Sequence, residues 1–404
     1  MNPKLKVLFV DDEDLVLQGL QRMLRPLRNE WEMEFCSSGA QALERMAASP
    51  FDVVVSDMRM PGMNGAELLN QVMQRHPRTV RLILSGHANQ DLIMKCVGST
   101  HQFLSKPCEP ETLKNTIARA TSLGFQMQNE KLMAVVARMD RLPSFPALYA
   151  DIVKALQNPE VCMEEVGGIV AKDMAMTANI LKLVNSAFFG LRRQVANPTE
   201  AASFLGVDVL KSLVLSLHAF SECEATRVKG FSVEALWQHS LQTSAGAKLI
   251  AQAERAEPHA VNEAFTAGML HDVGRMVLAA NFPDECNAAT DLAAAKSISR
   301  LEAEREIFGS THAEAGGYLL GLWGLPVPVV EAIALHHTPS ESFSRTFTAL
   351  TAVHVADVLA EALSPSQEGE SQAVIDEAHL TAAGLIDRLP VWRQAVSEGI
   401  SKAA

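Results

Sequence analysis

The first 120 residues alternate short apolar runs with longer amphipathic stretches. Each run is too short for a helix, and the first, third and fourth are apolar on both faces, as buried parallel strands must be. The runs read KVLFV, MEFC, DVVVS, RLILS and QFLS. Between them apolar residues recur at helical spacing, as at Leu15, Leu20, Met23 and Leu24. Alternating strands and helices predict a doubly wound α/β domain with five parallel strands.

A helical pattern then begins after Pro110 and leads into a predicted all-α region. The two prolines in DRLPSFPAL end the first helical segment. From there to about Leu363 the pattern is helical, and the polar run SPSQEGESQ precedes a helical tail. We therefore predict an N-terminal domain over 1–120, a helical connector over 121–140, an α-helical domain over 141–363, and a polar loop with a helical tail over 364–404.

Composition narrows the classes of function. The 404 residues are 48% hydrophobic and carry a net charge of -12, which suits two or three packed domains. No basic stripe longer than Arg192-Arg193 is present, so neither nucleic acid nor a transcription-factor role is expected. Six scattered cysteines and no apolar window of membrane-spanning length predict a soluble, cytoplasmic protein without membrane partners.

Polar and charged side chains follow the predicted strands at the sheet edge where ligands gather in parallel sheets. They are Asp11 and Asp12 after the first strand, Asp57 after the third, Ser85 at the end of the fourth and Lys106 after the fifth. Three converging carboxylates favour a hard cation such as Mg²⁺. An aspartate beside Mg²⁺ and a lysine can accept a phosphoryl group. Taken singly, each acid is more typical of a helix cap or a loop.

In order, VDDE, SDMRMPGMNG, LSG and FLSKP make residues 4–120 resemble the receiver domain of two-component response regulators. The resemblance implies a flavodoxin-like sheet and a histidine kinase or phosphotransfer protein as partner. It makes Asp57 the phosphoacceptor, and Ser85, Phe103 and Lys106 the switch residues, with a cis Lys106-Pro107 bond. The implied Mg²⁺ ligands are Asp11, Asp12, Asp57 and the backbone carbonyl of Arg59.

Histidines and aspartates recur through the predicted helical domain. The candidates are His239, His271, Asp272, His312, His336, His337 and Asp357. Neutral imidazoles bind transition metals, and a carboxylate can bridge two ions that clamp a phosphodiester. The alternative is a set of core histidines hydrogen-bonded to one another.

The order of these residues resembles the HD superfamily of metal phosphohydrolases. That resemblance implies one metal on His239, His271, Asp272 and Asp357, and a second on Asp272, His312, His336 and His337, the pair being Fe, Mn, Zn or Ni. From about Leu142 to Leu363, segments such as RLPSFPALYADIVKAL and AVHVADVLA look like the HD-related output domain, HDOD. HDOD domains imply output through protein contacts.

Two departures bear on catalysis. Arg275 stands where cyclic di-GMP phosphodiesterases of the HD superfamily have lysine, and TPSESF replaces their Gly-Tyr-Pro motif, which argues against cyclic di-GMP hydrolysis. Two hypotheses follow. The first is a response regulator whose HDOD domain signals to an unidentified protein partner, with a homodimer left open. The second is a receiver-gated, metal-dependent phosphohydrolase with catalytic residues still to be assigned.

Overall fold

The structure is a computed structural model of the 404-residue chain. It describes residues 4–85, 99–126, 130–137, 162–185, 193–205, 228–363 and 374–403, together with positions 139, 151, 152, 154, 155 and 210.

A five-stranded parallel sheet forms the N-terminal domain. Its strands are β1 Leu5–Val10, β2 Trp31–Cys36, β3 Val53–Ser56, β4 Val80–Ser85 and β5 Gln102–Ser105, in the order β2-β1-β3-β4-β5. All five apolar runs are therefore confirmed as strands, and the doubly wound, flavodoxin-like topology is confirmed with them. The parallel register sets Val10 beside Ser56 and Ser85 beside Ser105, so the strand ends that precede the acidic residues meet at one edge.

Helices connect the strands of this sheet. They are α1 Asp14–Met23, α2 Gly39–Ala48 and α3 Gly65–Arg75, with a 3-10 turn over Arg25–Asn29. In α3, Asn64 and Glu67 form a capping box that satisfies backbone donors at the helix start. Of the positions at helical spacing, Leu20 and Leu24 are buried as the pattern indicates, whereas Leu15 is 77% exposed and Leu17 is buried instead.

Two helices lead out of the sheet domain. α4 runs over Pro110–Gln126 and continues through Gly124, and α5 runs over Glu130–Val136. Leu113 and Ile117 of α4 are fully buried. The predicted boundary around residue 140 lies outside the described residues, so it stays a prediction.

The remaining described elements are helical, which confirms the all-α class of the C-terminal region. They are α6 Met163–Val170, α7 Met174–Val184, α8 Val233–Ala253, α9 Pro258–Leu270, α10 Val273–Asn281, α11 Pro283–Lys296, α12 Arg300–Phe308, α13 His312–Leu322, α14 Val327–Leu335, α15 Ala349–Leu363, α16 Glu377–Ala382 and α17 Leu389–Ala403, with 3-10 turns at Pro339–Glu341 and Ile386–Arg388. α8 packs against α9, α15 and α17, while α13 packs against α10, α14, α4 and α5.

Candidate metal centre and phosphorylation site

The predicted phosphorylation site is assembled at the carboxyl edge of the sheet. Lys106 Nζ lies 2.5 Å from Asp11 Oδ2 and 2.5 Å from Asp57 Oδ1. Burial alone would lower the pKa of Lys106, but its hydrogen bonds to Asp11 and Asp57 outweigh that effect and raise the pKa. The ammonium therefore stays charged between the two carboxylates, where it can neutralise a transferred phosphoryl group.

Other predicted receiver residues surround this cluster. The Arg59 amide donates to Asp57 Oδ2 at 2.5 Å, and Asp12 is exposed at the rim. Phe103 is buried in β5, and the Lys106-Pro107 peptide bond is cis, as predicted. Ser85 ends β4, and its side chain lies outside the described part of the structure. The roles of these residues in phosphorylation remain predictions.

A buried arginine joins the sheet domain to the connector. Arg81 of β4 is fully buried, and its guanidinium donates to Ala137 O at 2.5 Å and to Ser99 O at 2.7 Å. Beside it, His101 Nε2 lies 3.0 Å from the same Ala137 carbonyl. Buried charges persist when they are well hydrogen-bonded, so this cluster fixes the end of α5 against β4.

A second contact joins the sheet directly to the helical region. Gln102, the first residue of β5, donates from Nε2 to Gly321 O near the end of α13 at 3.2 Å. At Gly324, a Cβ would lie 3.2 Å from the Gln102 side chain, and its φ of +78° favours glycine. The sheet and α13 therefore meet at close range.

All seven predicted metal-ligating residues lie together in the helical region. His239 lies within α8, His271 directly follows α9, Asp272 directly precedes α10 and Asp357 lies within α15. His312 begins α13, and His336 and His337 follow α14. Five of these side chains therefore stand at helix ends and two within helices, and the fold brings all seven together as the HD resemblance implies.

Their donor atoms form two groups. Asp272, His312, His336 and His337 make one group, and His239, His271 and Asp357 make the other, with donor atoms within 4.8 Å of one another in each. His312 Nε2 lies 3.1 Å from Asp272 Oδ1. In the second group, His239 Nε2 lies 2.9 Å from Asp357 Oδ1. Two groups of three and four donors have the composition of a transition-metal pair.

Hydrogen bonds orient the imidazoles for metal binding. Nδ1 of His271 lies 2.8 Å from Gly268 O, Nδ1 of His336 lies 2.8 Å from Ile333 O, and Nδ1 of His312 lies 2.7 Å from a carboxylate oxygen of Glu304. A ring that donates from Nδ1 presents an unprotonated Nε2 to a metal. The buried Nε2 of His336 has no hydrogen-bond partner among the described residues. An inward lone pair of this kind fits a metal ligand.

The charges of the cluster also fit a cation. Burial, together with the charge of His337, lowers the pKa of His336 well below 6.5, and burial and His312 lower that of His337 to about 4. Burial alone would raise the pKa of Asp357, but its hydrogen bonds to His239 and His271 hold it well below 3.8. Neutral imidazoles and ionised carboxylates are the states that bind metal.

Two imidazoles have the opposite preference. Burial alone would lower the pKa of His271, but the charge of Asp272 and the hydrogen bond to Asp357 outweigh that effect and raise it. Burial alone would lower the pKa of His312, but the charge of Glu304 and the bond to Asp272 outweigh that effect and raise it to about 9. A metal at this position must therefore displace a proton from His312.

A glycine allows the two helix starts to approach. Gly274 follows the His271-Asp272 pair, and a Cβ at this position would lie 1.8 Å from His312 O and 2.9 Å from Gly316 N. Any larger residue would push α10 away from α13. Gly274 therefore keeps Asp272 and His312 in reach of each other.

The cluster faces a cavity of about 210 Å³. His239, Asp272, His312, His337 and Asp357 line one side, and Arg275, Arg300 and Glu361 contribute charges nearby. Arg275 Nη1 lies 3.1 Å from Asp272 Oδ2. Arg275 therefore pairs with the same aspartate that the two metals would share.

Sequence reasoning missed Glu304 in this site. It is buried in α12, and no metal-ligand motif contains it. The only local signal is Arg300 four residues earlier, which bonds to it at 3.1 Å. Such i,i+4 pairs are common on exposed helix faces, so the pattern does not distinguish a buried role.

Family models agree with this two-part architecture. The response regulator receiver domain model matches residues 7–118, and the HDOD domain model matches residues 142–339. The chain joins a receiver domain to an HDOD domain. Asp357 lies beyond the residues matched by the HDOD model, although it belongs to the same cluster.

Individual relatives match parts of this receiver and HDOD pair. An uncharacterized protein of Treponema pallidum is 27% identical over 61% of this chain and 47% of its own length. The hydrogenase transcriptional regulatory protein HoxA of Cupriavidus necator is 34% identical over 28% of this chain and 23% of its own length. The chain thus spans less than half the length of these curated relatives.

Among solved structures, the MmoQ response regulator of Methylococcus capsulatus is similar to this chain, with 28% sequence identity and a TM-score of 0.48. The match covers 63% of this chain and 98% of the MmoQ chain. In the described part of the receiver and HDOD domains, no helix combines the length and apolarity required to cross a membrane.

Proposed function

We propose that this protein is a two-component response regulator in which phosphorylation of Asp57 controls an HDOD output domain that acts through protein contacts. A histidine kinase or phosphotransfer protein would supply the phosphoryl group. The observation that carries the proposal is the direct contact of β5 with α13. Lys106 follows one end of β5 and Gln102 begins it, while Gly321 and His312 lie at opposite ends of α13. β5 and α13 therefore connect the surroundings of Asp57 to the cluster of histidines and aspartates in the HDOD domain.

The chemistry of this switch is electrostatic. Lys106 already bonds to Asp11 and Asp57, so a phosphoryl group on Asp57 changes what the ammonium contacts. The added charge biases β5 and the segments beside it between two arrangements. Because β5 contacts α13 through Gln102, the HDOD domain experiences that bias directly.

Labelling with a small phosphodonor tests the switch. We expect acetyl phosphate to add one phosphoryl group to the wild-type chain, detected by intact mass, and to change hydrogen exchange in β5 and α13. Asp57→Ala should abolish both effects because it removes the acceptor oxygen. Glu44→Ala, at an exposed position of α2, is the matched control and should label normally. Undiminished labelling of Asp57→Ala would refute the assignment.

A second candidate function is a metal-dependent phosphohydrolase gated by the receiver. The specific observation in its favour is that the seven ligand residues cluster beside a cavity, which five of them line together with Arg275 and Arg300. His239, His271, Asp272 and Asp357 would hold one ion, and Asp272 with His312, His336 and His337 would hold the other. Metal ions bound there would activate water and polarise a phosphoryl oxygen. The arginines would orient an anionic group near the ions.

Elemental analysis of protein purified without added metal tests this candidate. We expect bound Fe, Mn, Zn or Ni in the wild type and a marked loss in His271→Ala, because His271 reaches Asp357 at 3.4 Å in the centre. His259→Ala changes an exposed histidine of α9, the helix that directly precedes His271. The metal content of this variant should match that of the wild type. Metal-free wild-type protein, or equal metal in His271→Ala, would exclude the candidate.

A further inference from the structure

We propose that Glu304 is a positioning residue of the metal centre, and that it makes the Asp272, His312, His336 and His337 group the tighter of the two metal positions. The inference rests on the proposed metal centre and adds a residue that no ligand motif includes. Its basis is the set of contacts around the buried carboxylate.

Glu304 holds His312 at two atoms. A single oxygen, Glu304 Oε2, accepts from the His312 backbone N–H at 2.8 Å and lies 2.7 Å from His312 Nδ1. His312 is the first residue of α13, and its backbone N–H therefore lacks a partner within its own helix. The carboxylate fixes the ring relative to the backbone from which it projects.

This arrangement decides which ring nitrogen faces the centre. With the proton of Nδ1 directed at Glu304, the proton that a metal would displace is the one on Nε2, which faces the group 3.1 Å from Asp272 Oδ1 and 3.1 Å from His337 Nε2. A correctly oriented, unprotonated Nε2 is the form of histidine that ligates metal. Glu304 thus prepares His312 for coordination.

The carboxylate is itself held in place. Arg300, one turn earlier in α12, donates from Nε to Glu304 Oε1 at 3.1 Å, and the Glu304 side chain is 3% exposed. One oxygen faces the arginine and the other faces His312. A buried carboxylate with partners on both oxygens has little freedom to reorient.

The two metal positions differ in the hydrogen-bond partner at Nδ1 of their histidines. In the described residues, Nδ1 of His271, in the group with Asp357, meets a neutral backbone carbonyl, whereas Nδ1 of His312 meets a carboxylate within hydrogen-bond distance. A carboxylate partner raises the basicity of an imidazole ligand. This difference favours the position that includes His312.

Zn²⁺ titration against a colorimetric chelator tests the proposal in the full chain, with excess Mg²⁺ to occupy the carboxylate site around Asp57. We expect two unequal binding steps in the wild type. Glu304→Gln keeps the side-chain shape but removes the charge, and should weaken the tighter step by about 10- to 100-fold while leaving the weaker step unchanged. Glu306→Gln, at an exposed position of the same helix, should leave both steps unchanged.

Thermal midpoints distinguish a positioning role from loss of folding, since Glu304→Gln should melt close to the wild type. A ¹H–¹⁵N spectrum of the Zn²⁺-loaded wild type gives a readout without any substitution, and should show His312 protonated at Nδ1. Equal weakening of both steps, no weakening, or a His312 ring protonated at Nε2 would overturn the role of Glu304 alone. A wild type that binds no Zn²⁺ would overturn the metal centre and the role of Glu304 together.

Discussion

His101 is a buried histidine beside a permanent cation, in the receiver and far in sequence from the HDOD cluster. Its Nδ1 accepts from the Arg81 backbone N–H at 3.1 Å, and its Nε2 lies 3.0 Å from Ala137 O. Burial and the neighbouring Arg81 charge lower the pKa of His101 well below 6.5. The folded protein therefore favours the neutral ring at the junction of β4 and the connector.

This shift predicts a loss of stability in acid. The unfolded chain binds a proton at His101 below the ordinary histidine pKa, whereas the folded chain resists it, so this group destabilises the fold as pH falls from about 6.5. The slope contributed by one proton is at most about 1.4 kcal/mol per pH unit. Thermal midpoints at pH 7 and pH 5 should fall less in His101→Asn than in the wild type. Equal falls in both proteins would contradict the prediction.

At the scale of elements, sequence pattern was sufficient for the strands and insufficient for the faces of helices. The five apolar runs became the five strands because a buried parallel strand is apolar on both sides and short. The spacing around Leu15 did not determine whether its side chain is buried, because the buried face of a helix depends on the elements that pack against it. Glu304 was unpredictable for the same reason: α12 must lie against the start of α13 before its carboxylate can reach His312.

The crossing of α10 and α13 yields a prediction. Gly274→Ala should destabilise the protein by about 1–3 kcal/mol, because its Cβ would lie 1.8 Å from His312 O and the helices must separate. The change should also reduce metal content, since Asp272 and His312 would move apart. Urea unfolding and elemental analysis measure the two effects.

Gly168→Ala supplies the matched control. Gly168 lies within α6, and a Cβ there would have nothing within 4 Å. Alanine should be neutral or stabilising by about 0.5–1 kcal/mol, because glycine is unfavourable inside a helix. If Gly274→Ala behaved like Gly168→Ala, the close approach would not matter.

At the scale of the whole molecule, the receiver and the HDOD domain make contacts that no sequence motif predicts. The composition and motifs predicted two domains and their order, but the contact of Gln102 with Gly321 joins positions 219 residues apart. A polar side chain at a strand start has many potential partners. Only the packing of α13 against α4 and α5 selects this one.

Removal of that contact should uncouple the domains without disabling the receiver. Gln102 lies four residues before Lys106, or about 13 Å along an extended strand, so Gln102→Ala should label with acetyl phosphate like the wild type. The lost hydrogen bond is worth about 0.5–1.5 kcal/mol. We expect the phosphorylation-dependent change of hydrogen exchange in α13 to be strongly reduced.

Gln18→Ala, at an exposed position of α1, should retain the full exchange response and serves as the control. An undiminished response in Gln102→Ala would mean that the two domains communicate by another route.

α13 spans 11 residues from His312 to Leu322, a length of about 16 Å. Gly321, near its C-terminal end, contacts the receiver, and His312, at its N-terminal end, is a proposed metal ligand. A tilt of only about 2° about the receiver end would displace His312 by about 0.6 Å over that length. Metal–ligand distances tolerate departures of about 0.2 Å. A rotation too small to disturb the packing of the helices would therefore suffice to make or break coordination.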